Sequence, residues 1–229
     1  MSRLVTLVLS LGLLVGVLVV APPASPRSYQ PLGTDFRVTQ LSVIGDSYTT
    51  GTDLGGFGSK TWTGLAWKAL ASNGVRVVAD VAAEGRAGYG VAGDHGSVFE
   101  DLTARVVKPD DALVVFFGSR NDQDVDPVLL FARAHDTYAL ARRFAPAAKF
   151  LVIGPPWPTP DVPESVLRVR DAVRNAAHVA GAVFVDPIVE RWFFDRPELI
   201  ASDGVHPNDA GHEYMASKIA PLIRAQIYR

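Results

Sequence analysis

The residue types best suited to chemistry fall in four short stretches. A serine stands at the end of Gly45-Asp46-Ser47, directly after the mostly apolar run Leu41-Ser42-Val43-Ile44. A hydroxyl where a strand gives way to a loop is well sited as a nucleophile, but it needs a base to take its proton, and that base needs an orienting partner. His206 and Asp203 in Asp203-Gly204-Val205-His206-Pro207 have the right types and spacing. A carboxylate three residues back reaches one imidazole nitrogen and leaves the other free to accept. Acyl transfer also needs donors for a developing oxyanion, each worth about 3 kcal/mol in comparable sites. The Gly85 amide, with no side chain in the way, and the Asn121 carboxamide, just after an apolar run, are the candidates. Each stretch has a plainer reading when taken alone. Gly-Asp-Ser and Asp203-Gly204 both suit turns, and Asn121-Asp122 suits a loop start or a helix cap. Of the other histidines, His135 and His178 fall in helical patterns, His95 sits in a glycine-rich loop with no obvious acidic partner, and His212 opens the last helix as a packing or capping residue.

The elements that must position these residues alternate between two patterns. Residues 41–44, 75–81, 112–117, 149–153 and 182–185 are short apolar runs and read as strands. Helical spacing appears over residues 61–72, 99–107, 128–144 and 165–180, and over a last stretch that Asn208 or Asp209 caps and that runs to about residue 226. Residues 49–59, 82–96 and 118–122 read as loops, and the aromatic segment 188–194 has no clear state. Strands that are apolar on both faces and alternate with helices predict an α/β fold, a parallel sheet covered on both sides. Such sheets gather functional loops at the carboxyl ends of their strands. The loops holding Ser47, Gly85, Asn121 and the Asp203–His206 pair are therefore expected to converge.

Composition narrows the function classes. Lys and Arg total 22 against 24 for Asp and Glu, without the basic stripe that nucleic acid requires. Cysteine is absent, which removes disulfides, thiolate metal sites and a cysteine nucleophile. Asp122, Asp124 and Asp126 alternate like the start of a calcium loop. However, Pro127 and Arg133 stand where that loop needs glycine and an acid, so the three aspartates read as a solvated polar loop. The start of the chain has the order of a secretory signal: Met1-Ser2-Arg3, an apolar run over 4–20, then small residues and prolines. The run approaches the roughly 17–25 residues that span a bilayer, so an uncleaved anchor is the rival reading. The organisation expected is a signal over 1–24, a linker over 25–40 and one domain over 41–229. That makes an exported protein, secreted or in the cell envelope, which touches the membrane only through its first segment.

Gly45-Asp46-Ser47, Gly85, Asn121-Asp122 and Asp203-x-x-His206 follow one another in an order that resembles the SGNH hydrolases, the GDSL-type esterases and lipases. The resemblance covers about residues 41–219. It implies a three-layer α/β/α sandwich around a five-stranded parallel sheet of flavodoxin-like type. It also implies a serine esterase in which Ser47 attacks, His206 is the base and Asp203 its partner. Ser47, Gly85 and Asn121 would then supply the oxyanion donors, with Gly88 the rival to Gly85. No metal or cofactor is implied, and the substrates are lipid or other acyl esters or O-acetyl groups on glycans. The sequence departs from the family pattern at Tyr48, where leucine is usual, and at Ser119, where the third block usually has glycine. Trp157 and the glycine-rich loops are expected to line a shallow, open pocket. The alternatives are a non-catalytic glycan- or partner-binding module on the same fold, which would have no need of the complete Ser47, Asp203 and His206 set, and a nucleotide binder, for which no phosphate-binding glycine loop follows a strand.

Overall fold

A computed structural model describes residues 38–228. The expected signal segment and most of the expected linker lie outside these residues. Among those described, no helix is long and apolar enough to cross a membrane. Five strands form one sheet: β1 (Thr39–Gly45), β2 (Val77–Ala83), β3 (Leu113–Phe117), β4 (Lys149–Ile153) and β5 (Val183–Val185). Their order is β2-β1-β3-β4-β5, and every pairing is parallel.

The helices are α1 (Ser47–Thr50), α2 (Trp62–Ser72), α3 (Phe99–Val106), α4 (Pro127–Phe144), α5 (Glu164–Val179) and α6 (Asp209–Ile227). They divide between the two faces of the sheet, as the apolar strands require. Val114 and Phe116 of β3 point toward α3, α4 and α5, where they meet Leu102, Tyr138 and Val173. Leu113, Val115 and Phe117 point the other way, toward α2 and α6, where they meet Trp62, Leu70, Met215 and Ile219. Successive residues of a strand face opposite sides, so one apolar run serves both cores. The α/β/α sandwich around a five-stranded parallel sheet is thus present.

The differences from expectation are local. Strand β1 begins at Thr39, inside the expected linker, because Thr39 and Gln40 pair with Val77 and Val78. Strand β2 lies about two residues later than its apolar run suggests. The run opens at Val75, which is buried beneath the Asn73-Gly74 turn and takes no part in the ladder. As an edge strand, β2 leaves Val78 and Val81 partly exposed, so its apolar residues do not mark its ends. Two single-turn elements overlap the ends of the expected loop 49–59: α1 at its start, and a 3-10 turn over Gly58–Lys60 at its end. The aromatic segment 188–194 forms turns that bury Trp192 and Phe193 against the α2/α6 side.

Candidate active site

The end of β1 makes an abrupt turn. A side chain on Gly45 would collide with the Thr49 hydroxyl, its Cβ falling 2.2 Å away, so only glycine allows α1 to start so close behind the strand. Asp46 caps α1 through its Oδ1, which accepts from the Tyr48 amide at 2.9 Å. Ser47 is therefore the first residue of a short helix at the carboxyl edge of the sheet. Its own N–H is one of the helix-start donors that the helix leaves unused.

Tyr48, the departure from the usual leucine, is fully buried. Its ring packs edge-on against Phe117 and Phe193. Its hydroxyl donates to the Val205 carbonyl at 2.5 Å. The segment carrying Ser47 is thereby tied directly to the loop before α6. In that loop His206 Nε2 lies 3.0 Å from Ser47 Oγ, and Nδ1 lies 2.6 Å from Asp203 Oδ2. Asp203 Oδ1 also accepts from the amides of Val205 and His206, at 2.9 and 3.0 Å. Partial burial would raise the Asp203 carboxyl, but the imidazole and the two amides outweigh it and hold it down at about 2. A carboxylate accepts and cannot donate, so the proton between the two groups sits on Nδ1, and Nε2 is left to accept from Ser47.

The glycine-rich loop after β2 is shaped by two buried acids. Glu84 accepts from the amides of His95 and Ser97 and so folds the loop back on its own start. Asp122 accepts from the amides of Tyr89, Gly90 and Val91 at 2.9, 2.9 and 3.0 Å. Asp122 is fully buried, which corrects its reading as part of a solvated loop. Asp124 and Asp126 are exposed, and Asp126 caps α4 through the amides of Val128 and Leu129. Gly88 donates its amide to Val91 and packs against the Asp122 carboxylate. Gly85 lies beside Ser47 and His206 in the cleft wall, and no protein acceptor takes its N–H among the described residues. Of the two glycines, Gly85 is the one whose amide stands unused beside Ser47.

The loop after β3 carries Asn121 to the same edge. A side chain on Gly118 would meet the Asp46 carboxylate at 2.9 Å, and its φ of +140° also calls for glycine. Ser119, the second departure from the family pattern, is buried and bridges two blocks. Its hydroxyl donates to the Ala87 carbonyl and accepts from the Asn121 amide, both at 3.2 Å. Asn121 Nδ2 donates to the Ala87 carbonyl at 2.9 Å and makes a long contact of 3.4 Å with Asp46 Oδ2. Burial pushes the Asp46 carboxyl up to about 7, against the pull of the Tyr48 amide and of the Arg120 guanidinium.

Ser47, Gly85 and His206 line one cleft of about 510 Å³, together with Thr50, Thr52, Asp53, Glu84, Arg86, Asp94 and His95. His95 thus stands in the cleft wall. Trp157 does not: its ring stacks beneath Arg120 at 4.3 Å, and its indole N–H is spent on Thr159 and Asp161. His212 packs, as its place at the start of the last helix suggests: it is buried, and its Nδ1 accepts from the Trp62 amide at 3.1 Å. Sequence reasoning missed the organising roles of Asp46, Glu84 and Asp122. Their common signal is a polar residue directly beside a glycine-rich or strand-end segment, which becomes informative only once the sheet brings those segments together. Among the described residues, no group of three or more His, Cys, Asp and Glu is arranged to hold a metal ion.

Residues 43–214 match the model of the GDSL-like lipase/acylhydrolase family. The chain is 65% identical over 230 residues to GDSL lipase Rv0518 of Mycobacterium tuberculosis (strain ATCC 25618 / H37Rv), with 99% of each chain covered. Two solved structures share the fold at lower identity. TesA superposes with a TM-score of 0.68 at 21% identity, over 82% of this chain and 99% of that one. A carbohydrate acetylesterase from Sinorhizobium meliloti superposes with a TM-score of 0.60 at 15% identity, over 82% and 99%. With its parallel sheet and four convergent loops, this chain belongs to the GDSL-like lipase/acylhydrolase family and is a serine hydrolase of carboxylic esters.

Proposed function

We propose that the protein is an exported esterase that works through an acyl-enzyme on Ser47. The observation that carries this reading is the hydrogen-bonded series Asp203–His206–Ser47, with steps of 2.6 and 3.0 Å. Ser47 Oγ attacks the ester carbonyl carbon as its proton passes to His206 Nε2. The carbonyl oxygen becomes an oxyanion, which the N–H groups of Ser47 and Gly85 and the Asn121 carboxamide stabilise. Asn121 frees a hydrogen for this by giving up its long contact with Asp46. The intermediate collapses, the alcohol leaves with the proton from His206, and the acyl group stays on Ser47. Water then gives a proton to His206 as its oxygen attacks the acyl carbon; the bond from that carbon to Ser47 Oγ breaks, His206 returns the proton to Ser47 Oγ, and the acid is released. Export is supported by the order of charged, apolar and small residues over 1–24.

The cleft lining bears on the substrate. Among the described residues Ala83 brings the one aliphatic side chain to the cleft, whose other residues carry hydroxyl, carboxylate, guanidinium and imidazole groups or are glycine. Such a wall suits a short acyl group on a polar alcohol better than a long chain, which would have to lie along desolvated charges. The experiment is hydrolysis of 4-nitrophenyl esters from acetate to palmitate, with Ser47→Ala in parallel. The expected result is turnover that is highest for the shortest acyl groups and is lost in Ser47→Ala. Equal rates in the two proteins would overturn the role of Ser47, and a preference for palmitate would overturn the short-acyl reading. Failure to hydrolyse any ester would favour the non-catalytic binding module.

A further inference from the structure

Beside the Ser47 cleft lies a second depression of about 340 Å³, lined by Leu54, Gly55, Phe57, Lys60 and Asp209 and sharing Thr52 and Asp53 with the first. Phe57 is 74% exposed although the residues around it in the loop are held on several sides. Thr52 and Gly55 exchange amide hydrogen bonds of 2.9 and 3.1 Å. The Gly56 amide donates to Asp209 Oδ1 at 3.0 Å, and Lys60 Nζ pairs with Asp209 Oδ2 at 2.5 Å. Gly55 and Gly56 approach the start of α6 so closely that a Cβ would fall 2.4 Å from Asn208 Cα in one case and 2.1 Å from His212 Nε2 in the other. A large, mostly exposed aromatic ring is thus presented from a loop held by hydrogen bonds, next to the cleft and ringed by hydrogen-bonding groups.

We propose that this depression is a saccharide subsite: the substrate is an O-acetylated oligosaccharide whose acetyl group lies over Ser47 while a neighbouring sugar ring stacks on Phe57. The proposal rests on the reading of Ser47 as the nucleophile. A pyranose has one face of C–H bonds and a rim of hydroxyls. The face of an aromatic ring is electron-rich and attracts polarised C–H groups. The carboxylates of Asp53 and Asp209 accept from hydroxyls, and the Lys60 ammonium donates to them. The Lys60–Asp209 pair is solvent-exposed, so regrouping it around a ligand costs little. A lipid surface fits less well. Among the described residues, Phe57 and Leu54 are the only large apolar side chains lining the depression, and seating them in lipid would draw Asp53 and Asp209 out of water.

The test compares acetylated monosaccharides with acetylated tetrasaccharides of the xylo-, cello-, manno- and chito- series, using the full chain and its Phe57→Ala and Phe57→Trp variants. Melting temperatures confirm that each variant folds. In at least one series, kcat/KM per acetyl group should rise about tenfold from mono- to tetrasaccharide. Phe57→Ala should abolish that rise and Phe57→Trp should keep it. Length-independent rates in all four series, or the same rise in Phe57→Ala, would overturn the proposal. So would a Phe57→Ala variant that keeps the saccharide rates and loses activity on tributyrin emulsions or binding to dioleoylphosphatidylglycerol vesicles, which would assign the loop to lipid. Failure of the underlying reading is separately visible, as turnover of 4-nitrophenyl acetate surviving in Ser47→Ala.

Discussion

His206 is held by a single acid, and three hydrogen bonds fix that acid in turn: one from the imidazole and two from the amides of Val205 and His206. In the proposed mechanism Asp203→Asn keeps the size but can donate to Nδ1, which favours the tautomer that cannot accept from Ser47. The expected outcome is a fall in kcat of about a thousandfold or more with KM little changed, read from steady-state kinetics on 4-nitrophenyl acetate. Tyr48 makes the second link to this loop. Tyr48→Phe leaves the Val205 carbonyl without its donor and should cost about 1 kcal/mol in chemical denaturation, with a several-fold lower kcat as His206 loosens. The candidate triad was legible in the sequence because Asp203 and His206 are neighbours and Ser47 sits in a recognisable strand-end motif. Asp122 was not. Its burial comes from amides about thirty positions earlier in the chain, and three aspartates at alternate positions look solvated until the loop after β2 closes over the first.

Among the elements, the glycine-rich loop after β2 has the least intrinsic order and depends most on others. Residues 84–97 contain no helix or strand, and Glu84 from within and Asp122 from the loop after β3 hold them. Asp122→Ala strands three amides at once. It should lower stability by about 3 kcal/mol, measured as a shift in the urea midpoint. It should also reduce kcat more than Tyr48→Phe does, because Gly85 belongs to the freed loop. The strands and the long helices were legible from apolar runs and helical spacing, since both reflect burial against a continuous core. The ends of β2 were not, because an edge strand leaves part of its apolar surface exposed and its limits are set by pairing with β1. Helix α1 escaped detection because four residues hold no period. Its existence depends on the Asp46 cap and on the close approach allowed at Gly45.

At the scale of the whole molecule, the two cores are joined through one sheet, and α6 fastens the loop after Ser47 to the α2 side. His212 makes that connection, and burial pushes its imidazole down to about 4, against the pull of Asp209 and with a further push from His206. The folded value lies below the ordinary 6.5, so the unfolded chain takes up a proton first as the pH falls. Stability from this group is complete above about pH 6.5 and is lost toward pH 4, by about 3 kcal/mol. His212→Asn keeps an acceptor for the Trp62 amide and should flatten the melting temperature over that window, as followed by calorimetry. The three-layer architecture was legible because the alternation of strands and helices leaves few other arrangements, whereas the cleft's polar lining was not, because it is assembled from loops without a pattern of their own. The proposed mechanism turns on one oxygen atom, Ser47 Oγ. Treating the protein with diethyl 4-nitrophenyl phosphate and mapping the adduct by peptide mass spectrometry tests it most directly. One diethylphosphoryl group per chain is expected, on Ser47, formed in step with loss of esterase activity and absent in Asp203→Asn treated for the same time. Complete inactivation with Ser47 unmodified, or an adduct on another residue that tracks the loss of activity, would contradict it.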